Sequence, residues 1–123
     1  MNNKGQSLVI FVLFLPIIFL LIAIIYDLGS FEINKQKNIN EVKSIITYGL
    51  KNIDDDNLNQ KLNTLLNKNI GTKASLSIDN NTIKINLNYK EKSIFPSIIK
   101  NSYQVNLTYK GYLDNENIII IKE

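Results

Sequence analysis

The sequence predicts an α+β protein: a long N-terminal transmembrane and stalk helix, a second short helix, and a small antiparallel sheet of about four strands. Three observations predict it. An uncharged apolar run occupies Leu8 to Tyr26, apolar residues then recur at three- and four-residue steps as far as Ile70, and from Thr72 the period drops to two. The first is long enough to cross a bilayer, the second is the pattern of amphipathic helices, and the third is the pattern of half-buried strands.

The run LVIFVLFLPIIFLLIAIIY holds 19 residues without a charge, which as a helix spans about 28 Å at roughly 1.5 Å per residue. A soluble domain this small lacks the residues to cover a cylinder that is apolar all round. Pro16 does not veto the span, because a proline in a lipid-embedded helix is accommodated by neighbouring helices or local backbone adjustment. Lys4 precedes the run, whereas Asp27 and Glu32 follow it. That asymmetry predicts a cytoplasmic N-terminus and an extracytoplasmic C-terminal domain. A cleaved secretory signal fits less well, since the run exceeds a usual signal core and the first small residues beyond it, Gly29 and Ser30, follow Asp27 and Leu28.

Beyond Tyr26, the residues Ile39, Val42, Ile46, Leu50 and Ile53 form one apolar stripe, so the membrane helix is expected to continue as an amphipathic stalk. A bend, if present, belongs at Gly29 or in the polar run Asn34–Asn38. Asp54-Asp55-Asp56 suits a helix N-terminus, where carboxylates cap free amides and meet the positive end of the dipole. A calcium loop would need glycine and further spaced acids. Leu58, Leu62, Leu65 and Ile70 carry that second helix, and Gly71 ends it.

Ala74, Leu76 and Ile78 alternate with polar residues, as do Ile83, Ile85, Leu87 and Tyr89. A two-residue turn at Asn80-Asn81 sets Ile78 opposite Ile83 and Leu76 opposite Ile85, with both apolar rows on one side. Ser93 to Asn101 contains Pro96 and reads as a connection or short edge piece. Tyr103, Val105, Leu107 and Tyr109 then form a third strand, and Asp114–Asn117 separate it from a last one, Ile118–Ile121. Four consecutive isoleucines are expected to be covered on both faces, by the stalk, by a partner subunit or as an internal strand. Tyr103, Tyr109 and Tyr112 are half-buried sheet residues or, alternatively, an adhesive surface.

Composition narrows the function. The chain has 123 residues, no cysteine and no histidine, so the commonest general base and the commonest zinc ligands are missing. No nucleophile–base pair or phosphate loop stands out, and the expectation is a non-enzyme without cofactor or metal. The net charge of +3 comes from scattered lysines without arginine, which argues against a nucleic-acid surface.

The N-terminus adds a further signal. Met1-Asn2-Asn3-Lys4-Gly5 is short, polar and lysine-bearing, and Gln6-Ser7-Leu8 leads at once into the apolar run. Glycine lets the backbone extend into a peptidase site at the membrane boundary. Gly5, Phe11, Pro16, Asp27 and Gly29, in this register, resemble the start of TadE-like proteins, minor pilins or pseudopilins of the tight-adherence branch of type IV pilus systems. The resemblance covers about the first 30 residues. It implies a leader of residues 1–5, cleaved between Gly5 and Gln6 by a prepilin peptidase with Lys4 beside the cut. It also implies a retained helix that packs against other pilin subunits, pilus assembly proteins and lipid.

One position departs from that pattern, because Ile10 stands where the family has glutamate. In pilin-like proteins that carboxylate neutralises a neighbouring subunit's N-terminal amine within the membrane. A chain without it belongs at a filament end or in an assembly complex outside the filament, unless it has lost function or is never cleaved. The expected organisation is thus a leader at 1–5, span and stalk at 6–53 with the span at about 8–26, and a small extracytoplasmic domain at 54–123. The alternative is an unprocessed single-pass signal-anchor protein whose outer domain binds a partner or ligand.

Overall fold

A computed structural model describes residues 3–94 and 101–123. Helix α1 runs unbroken over Asn3–Lys51, with Pro16 inside it. Helix α2 follows at Leu58–Asn69, then a 3-10 turn at Gly71–Lys73, and strands β1 (Ala74–Asp79), β2 (Thr82–Lys92), β3 (Ser102–Asp114) and β4 (Asn117–Lys122). The strands form one antiparallel meander in sequence order. The expected α+β architecture is therefore present.

No break falls at Gly29 or at Asn34–Asn38. The asparagines that look like a bend are satisfied by the sheet: Asn34 Nδ2 donates to Glu91 Oε1 at 2.8 Å and Asn38 Nδ2 to the Tyr89 hydroxyl at 3.1 Å. Their amides therefore do not compete with the helix backbone.

The two halves of α1 have opposite surroundings. From Leu8 to Tyr26 most of its large apolar side chains are exposed, whereas Ile39, Val42, Ile45, Ile46 and Leu50 are buried in a core with Leu58, Leu62 and Leu66 of α2 and Ile83, Ile85 and Leu87 of β2. The head domain thus includes the C-terminal half of α1. Glycines set how closely the layers approach. A Cβ built on Gly49 would lie 2.5 Å from Ile83 Cδ1 and 2.9 Å from Leu62 Cδ1, and one built on Gly111 of β3 would lie 2.1 Å from Ile46 Cγ2.

The hairpin register is the expected one, with Ile78 opposite Ile83 and Leu76 opposite Ile85. Asn80 and Asn81 take φ of 46° and 62°, the left-handed values that a two-residue hairpin turn demands and asparagine tolerates. The aspartates before α2 stand in the turn instead of at the N-cap, which is Asn57. Asp55 Oδ1 accepts the Asn57 N–H at 2.9 Å, and its other oxygen pairs with Lys61. Gly71, at φ 80°, turns the chain after α2.

The last strand meets expectation on one face, where it packs against the core that the stalk helps to form, and differs on the other. β4 is an edge strand: Ile118 and Ile120 pack against the core, while Ile121 is 45% exposed. A single helical layer covers the sheet, so period-two alternation turns Ile119 and Ile121 to the uncovered face. Tyr103 and Tyr109 are buried on the covered face and Tyr112 is half-buried, which fits sheet packing and not an adhesive tyrosine row. The connection expected over Ser93–Asn101 lies, Pro96 included, largely outside the described residues. Ser93 N–H does donate to Asn101 O at 3.2 Å, extending the β2–β3 ladder.

Candidate functional site

The sequence-predicted residues fall into two groups. Lys4, Gly5 and Gln6 lie exposed in the first turns of α1, and a Cβ on Gly5 would meet nothing within 4 Å. Ile10 and Phe11 are 54% and 57% exposed, and Pro16 shares their apolar surroundings. Gly29 likewise has open space around it. None of these touches the head. They present a bare helix surface.

Asp27 is different: it is 2% exposed, one residue beyond the apolar run, and the only buried acid among the described residues. Its position on α1 turns it toward the place where β2 ends. Oδ1 accepts the Ile94 N–H at 2.8 Å, while Oδ2 accepts the Ser93 hydroxyl and, at 3.0 Å, the Tyr103 hydroxyl. The Tyr103 ring stacks on Phe31, one helical turn along, with centroids 4.4 Å apart and planes 18° from parallel. Glu91 lines the same small cleft with Ser30, Phe31 and Asn34. One carboxylate thereby ties the base of the sheet to the helix at the end of the apolar segment.

The electrostatics follow from that geometry. Burial pushes the Asp27 carboxyl up, but hydrogen bonds from Ser93, Ile94 and Tyr103 outweigh it and hold it below its ordinary 3.8. Burial pushes the Tyr103 phenol up, and its bond to Asp27 adds to the effect. A carboxyl lowered in the folded state binds fewer protons there than when unfolded, so its stabilisation is complete above the ordinary value and is lost as pH falls through and below it. Thermal unfolding of the detergent-solubilised chain should therefore drop in midpoint below about pH 4. Asp55, lowered chiefly by its hydrogen bond from Lys61, acts in the same direction. The Asp27 share is read as the part of the acid-side slope that Asp27→Asn removes.

Sequence reasoning singled out Asp27 and Tyr103 separately and missed Ser93, Ile94 and their convergence. The available signal was an acid at the very end of an apolar run. What it binds lies 66 to 76 residues away.

These features define a class: a small α+β head fixed to the second half of a helix whose first half is long and apolar enough to cross a membrane. No family model, curated protein or solved structure matches the chain.

Proposed function

We propose that this chain is a minor pilin-like structural subunit in the assembly of a tight-adherence or type IV-like pilus, processed after Gly5 by a prepilin peptidase. It sits in the cytoplasmic membrane with its N-terminus inside and its head outside. The observation that supports this reading best is the division of α1, bare and apolar over its first half, packed under a four-stranded sheet over its second. A subunit that assembles through its helix needs both: a surface for lipid before assembly and for neighbouring helices after it, and a head that stays folded throughout. The exposed Gly5-Gln6 bond and the residues Phe11, Pro16, Asp27 and Gly29 fit the same role. Ile10 removes the intramembrane carboxylate a neighbour would use, which favours a filament end or an assembly complex.

Co-expression with a prepilin peptidase and mass measurement of the N-terminus tests this. The expected product begins at Gln6, and Gly5→Val should abolish the cut, because it puts a bulky side chain and a restricted backbone at a position where glycine lets the chain approach closely. An intact Met1 in the presence of active peptidase would instead favour a plain signal anchor.

A further inference from the structure

We propose that the base of the sheet is a lipid-contact site, with Ile94 entering the membrane interface and Lys92 set against headgroup phosphates; this rests on reading α1 as the membrane span.

The direction of β2 supplies the first argument. Gly49 of α1 lies against Ile83, Asn38 bonds Tyr89, Asn34 bonds Glu91, and Asp27 bonds Ser93 and Ile94. β2 therefore descends as α1 rises. From Asp27 to Gly49 the helix climbs about 33 Å at ~1.5 Å per residue, and the chain from Ile83 to Ile94 covers about 36 Å at ~3.3 Å per residue. The lengths agree, so the Asn80-Asn81 turn marks the far end of the head and Ile94 the near end.

The second argument is the level at which Ile94 sits. Its N–H is 2.8 Å from a carboxylate oxygen of Asp27, the residue next after the apolar run. Three large apolar side chains are exposed at this height, Tyr26 at 61%, Leu28 at 43% and Ile94 at 48%. An aromatic with a polar tip suits the boundary between hydrocarbon and headgroups, and apolar neighbours suit its inner side. Exposed Lys92 stands two residues up the strand, about 7 Å higher at ~3.3 Å per residue, within a headgroup layer of roughly 5–7 Å. Its ammonium falls where phosphates are. The site consists of Tyr26, Leu28, Lys92 and Ile94.

The chain has no cysteine, so single labels can be placed cleanly. Ile94→Cys, Asn81→Cys and Phe14→Cys variants of the full chain would each carry a polarity-sensitive fluorophore. Each would be reconstituted into vesicles of phosphatidylcholine and phosphatidylglycerol containing spin-labelled lipid. The expected result is deep quenching at position 14, shallow quenching at 94 that exceeds the value at 81 several-fold, and little at 81. Adding Lys92→Glu to the Ile94→Cys chain should reduce the shallow quenching. Quenching at 14 with position 94 quenched as little as 81 overturns the interfacial site while leaving the span intact. Absence of quenching at 14 overturns the span, and the site with it.

Discussion

Gly111→Val should abolish the cooperative thermal transition of the head or shift it far down. Gly111 lies in β3 beneath Ile46, and an added Cβ would stand 2.1 Å from Ile46 Cγ2 and 3.2 Å from Leu50 Cδ1. Neither neighbour has room to retreat. Ile46 and Leu50 are 0% and 1% exposed, and both sit in the core between α1 and the sheet. Overpacking a filled core costs about 1–3 kcal/mol and sometimes more, and two further methyl groups put valine at the upper end. A domain of this size has only about 5 kcal/mol or so to lose. Circular dichroism on heating checks the result, with Gly111→Ala expected between wild type and valine. Gly29→Ala is the contrast. Its surroundings are open, and alanine is the better helix former by up to about 1 kcal/mol, so the midpoint should hold or rise. A Gly111→Val chain that melts like wild type would mean that α1 does not press on the sheet there.

Asp27→Ala should release the base of the sheet from the helix while its far end stays folded. Three donors now converge on that carboxylate, one of them the backbone N–H of Ile94. Alanine removes the shared acceptor from a place that remains covered by protein, where lost hydrogen bonds are not fully replaced by water. The effect is local because the next ties, Asn34 to Glu91 and Asn38 to Tyr89, are independent of it. Hydrogen exchange in detergent should show faster exchange for Ser102 to Val105 and Glu91 to Ser93, with Ile83 to Leu87 unchanged. Asp27→Asn, which keeps one acceptor oxygen, should lie between. Unchanged exchange at Tyr103 in the alanine chain would count against the tie.

Some of this was legible in the sequence because the signals are local. The apolar run needs no partner to be recognised, and the Asn80-Asn81 turn sets a register that strict alternation on both sides then fixes. Ile118–Ile121 were less legible, since a run of identical residues hides its period and with it which members face the core. Asn34 and Asn38 misled for a related reason: their helix is sustained by acceptors on β2, which local propensity does not contain. The site followed the same division. Asp27 is legible as an acid after an apolar run, but its partners Ser93 and Ile94 are set by the course of β2 down the helix, which no local signal encodes.

That downward course also determines how the molecule bears load. The head is held at both ends of a long seam, by Asp27 at the bottom and at the top by the close approach of Ile83 to Gly49 and of Ile46 to Gly111. A pull on the outer hairpin while the helix is gripped below acts parallel to that seam, so the bonds and contacts along it share the strain together and none is peeled first. The same contacts resist rotation of the sheet about α1. If the apolar half of α1 turns or shifts along its axis, the seam carries that motion to the Asn80-Asn81 tip.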